Sequence, residues 1–287
     1  MTGEKKMERV QRGFIRVEQG DIAWYSVPSL LEEGVIHGVT TRQGGVSVEP
    51  RGLSSLNLGW SRPDNRENVA ENYRRLAHAA GFTYSSMALV NYEHGASVCE
   101  ARPEDAGKGF DNGKFDPCDG LVTNSNEVTL ITLHADCLPV FLYAPRENVG
   151  ALLHAGWKGV QLGIAMEAVR QMQDRWGCAA SELLAAVGPG ISRARFEVDQ
   201  PVVDRFRQSL QGNLTAQTLA WLEPPDEREK YHIDLPRVVV AQLVELGVVA
   251  EKITLADICT YDRSDEFFSY RRDGATCGSM AGFLRLR

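Results

Sequence analysis

The sequence predicts a single domain of the α/β or α+β class. Apolar runs of strand length recur along the chain, and helix-period segments with their own start and stop residues are interleaved with them. No repeat, low-complexity tract or linker divides the 287 residues, and at 43% hydrophobic a chain of this length supplies a substantial core. Residues 1–12 are charged and read as a flexible start, and 211–231, polar and carrying Pro224 and Pro225, read as an exposed excursion.

The elements follow in chain order. Ile36 to Thr41 is a short strand. Asn65 to Ala80 places Val69, Tyr73, Leu76 and Ala80 at helical spacing and stops at Gly81, a left-handed cap position. Met87 to Asn91, Val128 to Leu133, Leu138 to Tyr143 and Val149 to His154 are strands. Trp157 to Trp176 reads as one helix, with Leu162, Ala165, Met166, Val169 and Met172 on its apolar side and Gly177 as its stop. Leu183 to Val187 returns to strand. Asp234 caps a further helix with Pro236 in its first turn, where a missing N–H costs nothing, running through Val240 and Leu243 to Gly247. Ile253 to Asp257 is the last strand read from the pattern.

Charge narrows the partners. A net charge of −7 and a pI near 5.5 give no electrostatic footprint for nucleic acid or an anionic membrane, which favours a small-molecule partner. The charged N-terminal stretch lacks an apolar signal region, and no run approaches the roughly 18 apolar residues of a membrane span, so a cytoplasmic protein is expected. The six cysteines, Cys99, Cys118, Cys137, Cys178, Cys259 and Cys277, form no C-x-x-C pair and read as reduced thiols. Nothing in the pattern separates a monomer from a homodimer.

Two segments carry chemistry. His134-Ala-Asp136-Cys137-Leu-Pro and Gly150-Ala-Leu-Leu-His154-Ala-Gly-Trp-Lys-Gly159 place a thiol and an imidazole at the ends of neighbouring strands, where a metal or a nucleophile would fit. Thiolate with neutral imidazole is a zinc donor set, and a catalytic site needs a third ligand, for which His94 before Gly95 is the candidate. His37, His78, His134 and His232 read as structural. Thr40-Thr41-Arg42-Gln43-Gly44-Gly45 holds the ingredients of an oxyanion cradle, or else a Gly-Gly turn beside a surface arginine.

Several blocks together resemble the multicopper polyphenol oxidoreductase (laccase-like) family, also called the purine nucleoside phosphorylase or peptidoglycan-editing-factor family. They are His37-Gly-Val-Thr-Thr-Arg-Gln-Gly-Gly-Val-Ser47, Ser55-Leu-Asn57-Leu-Gly59, His94-Gly95, Asp119-Gly-Leu-Val-Thr123, Ala135-Asp-Cys137 and His154-Ala-Gly-Trp-Lys-Gly159. Gly188-Pro-Gly-Ile191, Phe196-Glu-Val198, Asp234-Leu235 and Phe267-Phe-Ser-Tyr270-Arg-Arg-Asp273-Gly274 continue it in order. There are departures. Glu93 replaces the usual glutamine, Trp60-Ser-Arg-Pro-Asp64 replaces glycine-aspartate, and Thr276-Cys-Gly-Ser279 replaces threonine-glycine-arginine.

The resemblance implies four layers, helices outside two packed mixed sheets, similar to the catalytic domain of cytotoxic necrotising factor toxins. It implies a zinc site of His94, Cys137 and His154, with copper accepted by the same donors. It also implies phosphorolysis of inosine and adenosine, deamination of adenosine, and activity on 5'-methylthioadenosine. In deamination zinc activates a water, with Asp136 as acid/base or as a partner fixing a ligand histidine. In phosphorolysis Arg42, Gly44 and Gly45 hold phosphate, Asn57 orients ribose or phosphate, and Lys158 and Arg271 add positive charge. Trp157, Phe267, Phe268 and Tyr270 are expected in the core, with one of them available to stack on a base. Two other functions are compatible with the residues. One is a cysteine hydrolase editing peptidoglycan precursors, with Cys137 as nucleophile and His154 as base. The other is a non-enzymatic zinc protein, for which a fourth ligand is lacking. Laccase chemistry needs several histidine-rich copper centres, and six histidines do not supply them.

Overall fold

The structure, a computed structural model, describes residues 8–48, 53–209 and 230–287. Its first half runs β1 (Gln11–Arg12), β2 (Ile15–Gln19), β3 (Ile22–Ser26), α1 (Pro28–Glu32), β4 (Ile36–Thr40), α2 (Arg66–Ala80), β5 (Met87–Leu89), β6 (Val98–Glu100), β7 (Gly120–Thr123) and β8 (Thr129–His134). The second half runs β9 (Leu138–Ala144), β10 (Val149–Ala155), α3 (Trp157–Leu162), α4 (Ile164–Trp176), β11 (Leu184–Val187), β12 (Glu197–Val198), α5 (Gln200–Ser209), β13 (Tyr231–His232), α6 (Leu235–Glu245), β14 (Ile253–Leu255), α7 (Tyr270–Asp273) and β15 (Met280–Arg285).

Two mixed sheets pack face to face. The seven-stranded sheet has the order β1-β14-β11-β9-β10-β7-β6 and the six-stranded sheet β2-β3-β4-β15-β8-β5. Phe141, Leu152 and Ala186 of the first meet Val39, Leu130 and Leu284 of the second. On the outer face of the first sheet, Ala165, Val169 and Met172 of α4 and Val239 and Leu243 of α6 cover Val140, Leu142 and Leu153. On the outer face of the second, Val69, Tyr73 and Leu76 of α2 cover Trp24, Ile131 and Phe283. The result is the expected four-layer arrangement. It explains why β9 and β10 are apolar without alternation: both faces of each are buried.

Local chemistry sets the helix ends. The Asn65 side chain accepts from the Glu67 N–H, and Gly81 at φ 81° closes α2. The expected single helix from Trp157 to Trp176 is broken, because Gly163 at φ 82° ends α3 and turns the chain into α4. Leu162, assigned to the apolar side, is therefore 58% exposed. Of the start expected to be flexible, residues 1–7 lie outside the described residues, and its last part is held in place: Gln11 and Arg12 pair in parallel with Thr254 and Leu255 of β14, and Val10 is buried. Most of the 211–231 segment lies outside the described residues. The short strands β1, β2, β3, β6, β12, β13 and β15 are not among those the sequence pattern predicts.

One connection places the site. Strand β8 belongs to the six-stranded sheet and β9 to the seven-stranded one. Ala135, Asp136 and Cys137 are the three residues that carry the chain across, and Asp136 makes the turn at φ 93°.

Candidate active site

Strand β10 delivers His154 to the end of the seven-stranded sheet. Its backbone N–H donates to the Asp119 carbonyl at 2.7 Å, and its Nδ1 donates to Asp119 Oδ1 at 2.9 Å. The same buried carboxylate accepts through Oδ2 from the Gly95 N–H at 2.7 Å and the Glu93 N–H at 3.2 Å. Asp119 thus draws the His94 turn and the His154 ring together. That turn holds His94 itself at φ 59°, a left-handed conformation uncommon for a side chain of this size. The first turn of α3 presses on it: a Cβ on Gly159 would stand 2.7 Å from the Gly95 carbonyl.

With Nδ1 committed to Asp119, Nε2 of His154 is left for other partners, and the Cys137 sulfur is close by: a Cβ on Gly156 would stand 3.2 Å from Cys137 Sγ and 3.8 Å from His154 Cε1. Burial opposes protonation of His154, but Cys137 and Asp119 outweigh it and raise the imidazole to about 9. His94 moves the other way, depressed by burial, by His154 and by the nearby Lys158 ammonium. Burial raises the Asp119 carboxyl, but the donors from His154, Gly95 and Glu93 prevail and hold it below its ordinary value.

The donor set suits zinc in type. The His94 and His154 rings lie 5.3 Å apart at 83°, and two imidazoles on one tetrahedral ion with Zn–N near 2.0–2.1 Å would sit about 5 Å apart. The Asp119 bond to His154 is the outer partner such a ligand usually has. Among the described residues, however, no group of three or more His, Cys, Asp or Glu side chains is already spaced to hold an ion. The donor types and the Asp119 support are those of a zinc site, while the side chains as placed do not enclose an ion.

These residues floor a cavity of about 660 Å³, within the range of small-molecule sites. Trp157, Phe196 and Tyr270 line it together with Arg62, Arg271 and Ser279. Phe267 and Phe268 are fully buried core, as expected, whereas Tyr270 is 54% exposed. His134 lines the cavity yet has both ring nitrogens occupied, Nδ1 by the Cys137 carbonyl at 3.0 Å and Nε2 by Thr132 Oγ1 at 2.7 Å.

Several expected site residues are placed differently. Asp136 partners no ligand histidine. Its carboxylate accepts from Thr260 Oγ1 at 2.6 Å, Ser269 Oγ at 3.0 Å and the Arg271 N–H at 2.7 Å, tying the C-terminal segment to the Cys137 turn. The carboxylate that does bond a site histidine is Asp119, which the sequence marked only as the first residue of the Asp119-Gly-Leu-Val-Thr123 block. Arg42, Gly44 and Gly45 do not line the cavity. The Arg42 guanidinium donates to the Ser54 and Ser264 carbonyls at 2.8 and 3.0 Å and covers the Phe268 ring. A Cβ on Gly44 would stand 2.1 Å from the Asp21 carbonyl, and one on Gly45 2.1 Å from that of Ser55, so close backbone packing requires these glycines. Asn57 is buried beneath the cavity wall and Lys158 is exposed beside it. Arg271 lines the cavity, its Nη1 donating to the Arg195 and Glu197 carbonyls. Glu93, the departure next to His94, turns to Ser97 Oγ.

Fold and site together define a two-sheet α+β protein whose small-molecule cavity ends on a thiol and two imidazoles. Residues 36–287 match the family described as multi-copper polyphenol oxidoreductase laccase, and the chain belongs to that family. The crystal structure of YlmD from Geobacillus stearothermophilus superposes with a TM-score of 0.87 at 32% identity, over 96% of this chain and 99% of that one. That protein carries the name purine nucleoside phosphorylase YlmD and is 34% identical over 256 residues, 88% of this chain and 91% of its own. The mouse purine nucleoside phosphorylase LACC1 is 32% identical over 277 residues, 94% of this chain, and this chain spans 59% of the mouse protein's length.

Proposed function

We propose that this chain is a purine nucleoside phosphorylase, converting inosine or adenosine and phosphate to the free base and ribose 1-phosphate. Adenosine deamination and 5'-methylthioadenosine phosphorolysis are further activities of the same site. The observation that carries the reading is the cavity itself, in which aromatic faces, guanidinium groups and His94, Cys137 and His154 converge in a chain whose relatives bear the phosphorylase name. In phosphorolysis a phosphate oxygen bonds to ribose C1′, the C1′–N9 pair leaves with the purine, and the proton of hydrogen phosphate ends on the base. Trp157, Phe196 and Tyr270 offer faces for the base, and Arg271 and Lys158 supply positive charge. Asp119 fixes His154, and the Asp136 bonds hold Arg271 at the wall. Zinc, or copper on the same donors, supplies a Lewis acid at the floor when bound by His94, Cys137 and His154.

The test is phosphate-dependent release of hypoxanthine from inosine and adenine from adenosine, followed by chromatography, with metal content measured for the wild type and Cys137→Ala. Purine release that requires phosphate and disappears with the metal is the expected result. No purine product from protein that carries zinc rejects it.

A second reading has its own observation. Cys137 lies close to His154, and Asp119 bonds the His154 ring, which supports reading them as nucleophile, base and carboxylate of a cysteine hydrolase. Acting on an amide of a peptidoglycan precursor, such an enzyme would be inactivated by thiol alkylation and indifferent to chelators.

A further inference from the structure

Two segments in which the sequence departs from the family pattern, 60–64 and 276–279, meet in the cavity wall. Arg62 Nε donates to Ser279 Oγ at 3.2 Å and Nη1 donates to the Ala275 carbonyl at 3.0 Å. Both Arg62 and Ser279 line the cavity floored by His94, Cys137 and His154.

This corner is built from beneath. Asn57 is 0% exposed, its Oδ1 accepting from the N–H groups of Gly59 and Ser279 at 3.0 Å each and its Nδ2 donating to Asp64 at 2.8 Å. The Leu58 N–H donates to the Ser279 carbonyl at 3.0 Å, and the Arg62 N–H to that of Gly59 at 3.2 Å. A Cβ on Gly59 would stand 2.8 Å from Arg62 Cγ and 2.9 Å from Ser279 Oγ, so glycine there lets the arginine stem lie against the serine. The guanidinium is held in one place before any ligand arrives.

Its charge is unanswered. Both described bonds of the guanidinium go to neutral oxygens, and among the described residues Arg62 makes no ion pair and Nη2 has no partner. Asp64, two residues on, accepts instead from Ser47 Oγ at 2.6 Å and from Asn57. A positioned guanidinium with unspent donors, no carboxylate partner and the hydroxyls of Ser61 and Ser279 in the same cavity is chemistry suited to a tetrahedral oxyanion. We propose that Arg62, supported by Ser279 and Asn57, is the inorganic phosphate subsite of this cavity. The assignment rests on the phosphorolytic reading and replaces the Arg42, Gly44 and Gly45 cradle suggested by sequence.

Calorimetric binding of inorganic phosphate to full-length wild type, Arg62→Ala and Arg42→Ala, alongside KM for phosphate and for inosine, tests it. Arg62→Ala is expected to weaken phosphate binding about tenfold or more, with a matching rise in phosphate KM. Inosine KM and the thermal midpoint stay near wild type, and Arg42→Ala binds phosphate as wild type does. The double variant Arg62→Ser/Ser279→Arg, which moves the guanidinium across the existing hydrogen bond, restores binding. Wild-type affinity in Arg62→Ala overturns the proposal, as does loss that the double variant fails to restore. Arg62-dependent phosphate binding without purine release keeps the subsite and rejects the phosphorylase reading. Absence of phosphate binding in the wild type rejects both.

Discussion

Asp119→Asn isolates what the buried carboxylate does for the site at nearly constant volume. Three N–H groups, from His154, Gly95 and Glu93, converge on its two oxygens. Asparagine keeps one acceptor oxygen and turns an NH₂ toward the others, so at least one donor faces another donor, costing about 1–3 kcal/mol. The His154 ring loses its charged anchor, and removing such an outer partner lowers metal affinity about 10–100-fold, or roughly 1.4–2.7 kcal/mol. Competition with a chromophoric chelator reads the zinc affinity, and thermal denaturation of the same preparations reads the fold. The expected outcome is weaker zinc binding with a thermal midpoint lower by a few degrees, at about 2–4 °C per kcal/mol for a chain of this size. Wild-type zinc affinity in a folded Asp119→Asn protein would show that the carboxylate does not position the ligand, and the site as described would be wrong.

Other outcomes follow from the same geometry. His37 is buried, accepting from the Val27 N–H at 2.8 Å and donating to the Val35 carbonyl at 2.9 Å, and burial lowers it to about 4. Its folded pKa lies below its unfolded value near 6.5, so its contribution is complete above pH 6.5 and falls as pH drops toward 4, by about 2 kcal/mol at pH 5. Urea midpoints at pH 7.5 and pH 5 should therefore diverge more in wild type than in His37→Gln, and equal pH slopes would refute the buried neutral imidazole. Gly45→Ala, which drives a Cβ to 2.1 Å from the Ser55 carbonyl, should lower the thermal midpoint while leaving phosphate KM unchanged. A raised phosphate KM in folded protein would return the glycine loop to the substrate site. Trp157→Ala should raise inosine KM about tenfold through lost stacking, with phosphate KM held, and an unchanged inosine KM would remove Trp157 from the base site.

The parts of this protein legible in its sequence are those set locally. Asn65 and Gly81 mark α2 because capping is a property of a few neighbouring residues, and β9 and β10 stand out because burial on both faces leaves a continuous apolar run. Cys137 and His154 were conspicuous as polar residues ending such runs. Asp119 was not, because its role depends on Gly120 of β7 pairing with Leu153 of β10, a register no local pattern encodes. The glycine loop misled for a related reason: Gly44-Gly45 serves equally to approach an anion or a neighbouring backbone, and only the fold brings the Asp21 and Ser55 carbonyls against it. Arg62 sits in an aperiodic segment whose partner is 217 residues away.

Because Ala135, Asp136 and Cys137 form one of the short crossings between the two sheets, the thiol works as a gauge of how those sheets sit on one another. A substitution at the interior seam, at Phe141 or Leu130 for instance, lets the layers settle differently, and the displacement reaches this three-residue strap because β8 and β9 on either side of it belong to opposite layers. Activity should then fade in variants that remain folded, far from any residue that touches substrate.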